Sequence, residues 1–129
     1  MVYLGIDYGA KRIGLAISVG EKGLARPLTT LDAGSLKYWD ELGRIISEND
    51  VHELVVGLPR GLDGGETDQT KAARFFAVEL ASFKLPIHLQ DEAGTSSVAR
   101  QRIGKKLTSK AQIDAEAASI ILQDYLDNL

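Results

Sequence analysis

The chain has 129 residues, a net charge of −3, 44% hydrophobic and 26% charged residues, and no cysteine. That length suits a single domain over 1–129 with a real core, and the negative balance means that a polyanionic partner would have to be held by a local basic patch. The lack of cysteine excludes disulfides, zinc–thiolate centres and thiol nucleophiles, and fits a reducing, cytoplasmic setting. Met1 to Asp7 carries no basic leader, and no stretch approaches the roughly 18 apolar residues of a membrane span, so no membrane partner is expected.

Val2, Leu4 and Ile6 alternate with Tyr3, Gly5 and Asp7, and Ile13, Leu15 and Ile17 alternate in the same way. Both patterns predict strands, and Tyr8 to Lys11 is short enough to join them as a hairpin. Gly20-Glu21-Lys22-Gly23 predicts a second turn before a short strand around Ala25 to Thr30, with Pro27 pointing to a sheet edge. Ser35 is placed to cap a helix bearing Leu36, Trp39, Leu42 and Ile46. Leu54-Val55-Val56 is the short apolar run of a buried parallel strand, followed by a glycine-rich loop, Gly57 to Gly65. A second helix then carries Ala72, Phe75, Phe76, Leu80 and Phe83. Beyond Pro86, Ile87-His88-Leu89 predicts a fifth strand. Ser96 or Ser97 is placed to cap a short helix through Ile103, and a last helix runs from about Ala111 to Leu126. The order β-β-β-α-β-α-β-α-α predicts an α/β fold. Its five-stranded mixed sheet has three antiparallel strands, then two parallel ones, with helices on both faces.

Three carboxylate positions stand out. Asp7 closes the first strand, Asp91 and Glu92 close the fifth, and Asp114 lies near the start of the last helix, on the face shared with Ala117, Ala118 and Ile121. That face should pack on the sheet, and a buried carboxylate needs a partner. A divalent ion is one candidate for that partner. Phosphodiester hydrolysis uses such an arrangement, with two ions about 3.5–4 Å apart activating water and stabilising the leaving oxygen. Spacing alone leaves other roles open: an Asx turn for Asp7, a solvated strand end for Asp91 and Glu92, a dipole-complementing first-turn acid for Asp114.

From Arg100 to Lys110 there are five basic residues and no acid, and Lys11 and Arg12 directly follow Asp7. The fold order brings both groups to one end of the sheet. Lys11, Arg12, Lys105 and Lys106 are the preferred phosphate contacts, with Arg60 of the glycine loop a lesser one. The loop lacks the Lys-Ser/Thr ending of a P-loop, which excludes that mode of nucleotide binding. Its glycines either let backbone N–H groups approach a phosphate or simply connect strand to helix. His52 and His88 have no partner at metal-ligand spacing and read as structural.

The segment Leu4-Gly5-Ile6-Asp7-Tyr8-Gly9-Ala10-Lys11-Arg12-Ile13-Gly14-Leu15-Ala16 resembles the YqgF family. The likeness continues at Val55-Val56-Gly57-Leu58-Pro59, Asp63-Gly64, Gln90-Asp91-Glu92 with Thr95-Ser96, and Asp114 followed by Ala118 to Tyr125. Members are described as Holliday junction resolvases and as pre-16S ribosomal RNA processing nucleases. The resemblance implies a ribonuclease H-like fold, with Asp7, Glu92 and Asp114 as catalytic residues holding Mg2+ or Mn2+, two ions by expectation. It also implies a nucleic-acid partner, structured RNA ahead of a DNA junction, and a monomer or homodimer. The alternatives are a junction resolvase and a non-catalytic ribosome-assembly module. Ala93 and Gly94 depart from the family pattern of an arginine followed by a bulky apolar residue, and Ala10 stands where a threonine is frequent. Loss of that arginine removes a fork donor suited to phosphate.

Overall fold

The computed structural model describes residues 1–20, 23–92 and 109–129. The chain opens with β1 (Val2–Tyr8), β2 (Arg12–Val19) and β3 (Arg26–Asp32), continues through α1 (Tyr38–Glu48), β4 (Glu53–Pro59), α2 (Asp68–Leu80) and β5 (Ile87–Glu92), and ends in α3 (Lys110–Asp127). One sheet has the order β3-β2-β1-β4-β5. β1, β2 and β3 form the antiparallel meander, while β4 runs parallel to β1 and β5 parallel to β4. Pro27 lies on edge strand β3 next to a register shift opposite Leu15 and Ala16, where a missing N–H costs no central ladder bond. The expected short helix from Ser96 or Ser97, together with Ala93, Gly94, Lys105 and Lys106, falls outside the described residues.

Period-two alternation gives the sheet two buried faces. Leu4, Ile6, Ile13, Leu15, Leu54 and Val56 pack against α1 and α2, with Leu42, Ile45, Ile46, Phe76 and Leu80 supplied by the helices. Tyr3, Ala16 and Val55 face α3, which contributes Ala118, Ile121, Leu122 and Leu126. Rings lock the first layer. Trp39 stacks on Phe83 at 5.0 Å, and Tyr8, the last residue of β1, stacks on Phe76 at 4.4 Å.

Glycines on the other face decide how α3 sits. A Cβ at Gly5 would lie 2.7 Å from Leu122 Cβ, and one at Gly14 would overlap the backbone carbonyl of Asp114. Helix and sheet are in backbone contact there, a distance that no side chain would permit.

Several local expectations are corrected. Helix α1 starts at Tyr38 with no side-chain cap, because Ser35 accepts from Lys37 N and belongs to a turn closed by Ser35 N to Asp32 O. Leu36 therefore precedes the helix and is fully exposed. Phe75 lies on the outer face of α2 and is exposed, one helical step away from buried Phe76. Phe83 belongs to a 3-10 turn, Ala81–Phe83, after α2 has ended. Thr67 and Thr70 form the capping box that starts α2, a signal absent from the sequence reading.

Candidate active site

The parallel strands β1, β4 and β5 end together, and chemistry in such sheets gathers at the carboxyl ends of strands. Asp7 is the penultimate residue of β1 and pairs with Gly14 of β2, so both belong to the face covered by α3. Glu92 ends β5, two strands away. Between them lies Gly57 of β4. A Cβ there would stand 2.7 Å from Glu92 Oε2 and 2.5 Å from Ile121 Cδ1. The missing side chain is the space into which the Glu92 carboxylate folds, and Glu92 is only 9% exposed.

Asp7 and Glu92 line one cavity of about 270 Å3, together with Tyr8, Gly9, Ala10 and Pro59. Gln69 and Ala72, three apart on α2, close it from the opposite side. Neither was anticipated, although their spacing directly after the glycine loop is visible in the sequence. Gly9 and Ala10 belong to the hairpin turn, in which Gly9 N donates to Arg12 O at 3.0 Å.

Asp114 is held differently. Its Oδ2 accepts from Arg12 Nε at 2.5 Å, and the two side chains are 24% and 37% exposed. The cation that pairs with it comes from β2, not from its own helix. A helix-periodic reading cannot see a partner that arrives across the sheet. Arg12, an expected phosphate contact, pairs with Asp114 in this structure. Lys11 is exposed and lines, with Arg12, Thr30 and Gly34, a second groove of about 580 Å3. That groove shares Ala10 with the cavity.

Arg60 is also engaged. It reaches Asp91 Oδ1 at 3.0 Å and Glu66 at 3.8 Å, while Arg74 holds Glu66 at 2.8 Å. The hydrogen bond and charge of Arg74 hold the Glu66 carboxyl below its ordinary range. This network ties the loop after β4 to the end of β5. The loop glycines do not present a phosphate cradle: Gly61 N donates to Gly65 O, Gly64 N to Gly61 O, and Gly65 N to Asp63 Oδ1. Both histidines are structural in these contacts. His88 Nε2 meets Glu53 at 2.6 Å and stacks on Tyr125, and His52 Nδ1 accepts from Val2 N.

Among the described residues, no three histidine or acidic side chains converge as a ready-made metal centre. Two carboxylates do share the cavity, and the space above Gly57 accommodates one of them beside Ile121 Cδ1. Magnesium needs only one or two carboxylates beside water and phosphate oxygens, so Asp7 and Glu92 fit one hard cation. Asp114, expected as the third ligand, does not line that cavity, and its carboxylate is held by Arg12.

The family model described as "RuvX: Holliday junction resolvase" matches residues 1–128. The chain belongs to the RuvX family. A relative from Legionella pneumophila (strain Paris), named "Putative pre-16S rRNA nuclease", is 38% identical over 131 residues, covering 97% of this chain and 94% of that protein. Another of the same name from Chloroflexus aggregans (strain MD-66 / DSM 9485) is 42% identical over 130 residues, covering 96% and 92%. Among solved structures, T. thermophilus RuvC in complex with Holliday junction substrate superposes with a TM-score of 0.58. It is 18% identical, and the match covers 99% of this chain and 95% of that one. The RuvX chain thus has the ribonuclease H-like fold that its sequence resemblance implied. Among the described residues, no helix is long and apolar enough to cross a membrane.

Proposed function

We propose that this RuvX protein is a metal-dependent nuclease that hydrolyses phosphodiester bonds in structured RNA, processing the 5′ end of pre-16S ribosomal RNA during ribosome biogenesis. The observation that carries the reading is the delivery of Asp7 and Glu92, from the ends of two different strands, into one cavity that shares Ala10 with the groove lined by Lys11 and Arg12. The names carried by relatives at 38–42% identity point to the same substrate.

Asp7 and Glu92 would hold a magnesium or manganese ion, with Asp114 completing the donor set for a second. A bound divalent ion supplies an activated water and charge stabilisation for the leaving oxygen. The protein contributes position. β1 and β5 fix the two acids, Gly57 leaves room for the Glu92 carboxylate, and α2 closes the cavity with Gln69 and Ala72. Lys11 and Arg12 would meet the strand in that groove. Lys105 and Lys106 extend the same proposal from sequence alone.

The test is cleavage of a pre-16S RNA fragment by wild type and Asp7→Asn in the presence of Mg2+ or Mn2+. Asp7→Asn should lose cleavage while keeping its fold, and equal product from both proteins would discard the site. A second reading, resolution of four-way DNA junctions, is favoured by the family description and by the likeness to the RuvC–junction complex. A labelled junction run beside the RNA separates the two.

A further inference from the structure

Arg12 stands between two places. Its Nε donates to Asp114, and the residue also lines the 580 Å3 groove with Lys11, Thr30 and the acidic Asp32, whose Oδ1 accepts from Gly34 N. That groove meets the acidic cavity at Ala10, so a strand leaving the cavity over Ala10 enters it beside Arg12. The two members of the ion pair differ in freedom. The backbone of Asp114 is pressed against Gly14, which pins that turn of α3 to β2. The Arg12 side chain is long and more than one third exposed. The acid stays and the cation can move.

We infer that Arg12 is a positioning residue that couples substrate to metal: it occupies the Asp114 carboxylate in the free protein and releases it when a backbone phosphate in the groove draws the guanidinium away. The inference rests on the reading of Asp7, Glu92 and Asp114 as metal ligands. A planar guanidinium pairs with phosphate as readily as with carboxylate, through the same fork of donors. A divalent ion and a guanidinium carry like charges and compete for one carboxylate. Release of Arg12 adds the Asp114 carboxylate to the groups open to an ion. Cation affinity rises with the charge of the donor set, and by linkage strand and ion raise each other's affinity by one common factor.

The test is calorimetric titration of Mn2+ into wild type, Arg12→Gln and Arg12→Lys, each alone and with short phosphorothioate RNA or DNA strands that resist cleavage. Thermal melts confirm that the variants are folded. Free Arg12→Gln should bind Mn2+ about threefold tighter than free wild type, the fold-change expected for removing a part-exposed ion pair. Arg12→Lys should lie between them, because a lysine still competes as a point charge. With a strand bound, wild type should rise to match Arg12→Gln. The inference is overturned if the free proteins bind Mn2+ alike, if the Arg12→Gln advantage persists unchanged with strand, or if neither strand raises wild-type affinity. Failure of the metal-site reading looks different: neither wild type nor the variants would bind Mn2+ at all.

Discussion

Gly57→Ala asks whether Glu92 works where the structure places it. The added methyl would lie 2.7 Å from Glu92 Oε2 and 2.5 Å from Ile121 Cδ1, so both neighbours must give way. Overpacking of this kind costs about 1–3 kcal/mol, offset by about 0.5–1 kcal/mol from the lower entropy of the unfolded alanine chain. A net loss of about 1–2 kcal/mol corresponds to a fall in Tm of roughly 4–8 °C for a domain of this size. The larger effect should be on chemistry. A carboxylate shifted by about 1 Å loses on the order of 100-fold in rate. The second variant, Gly57→Ala with Ile121→Val, removes the nearer apolar atom and leaves the carboxylate contact. It should recover part of the stability and none of the activity, because the Glu92 contact remains and a buried Ile→Val itself costs about 0.5–1.5 kcal/mol. Melting curves and RNA or junction cleavage, measured on both proteins, give the two readouts. Cleavage retained within about threefold despite a lowered Tm would refute the role given to the buried Glu92 carboxylate.

Gly14→Ala should be more damaging to the fold than Gly57→Ala, because its methyl meets the Asp114 backbone and not a side chain that can rotate. A loss of about 3 kcal/mol in urea unfolding is expected, and a loss under about 1 kcal/mol would show that α3 can lift off the sheet. The Glu66–Arg74 pair predicts a pH effect. Because Arg74 lowers the Glu66 carboxyl, its stabilisation is present above the ordinary value of 4.5 and fades as pH falls below it. Wild-type Tm should therefore drop more steeply than that of Arg74→Gln below pH 4.5, and parallel curves would exclude the coupling.

The strands and the mixed sheet were legible because burial imposes a period of two on β1 and β2 and a continuous apolar run on β4, and such patterns survive in one dimension. Helix beginnings were less so. A capping box made by Thr67 and Thr70 looks like an ordinary polar pair, and the turn at Asp32–Ser35 takes the serine that would otherwise cap α1. Phe75 and Phe76 are adjacent and equally apolar, yet the helix can bury only one of them. The acids of the site were legible as residue types at strand and helix ends. Their partners were not, since Arg12 reaches Asp114 across 102 positions of sequence.

What placed the site was largely the absence of side chains. Gly5, Gly14 and Gly57 belong to three different strands and look unrelated in sequence, where a glycine inside a strand reads only as a weakness. In the folded sheet all three lie on the α3 face. The first two seat the helix at backbone contact, and that seat fixes where Asp114 stands. The third opens the space that receives Glu92. A pattern of apolar residues specifies that a helix covers the sheet, but it does not specify how close. In the proposed site, closeness is the variable that matters. Were α3 held off at the usual side-chain separation, Asp114 would recede from the Asp7–Gly14 pair and beyond the reach of Arg12. The two groups proposed to exchange partners during the reaction would then no longer meet.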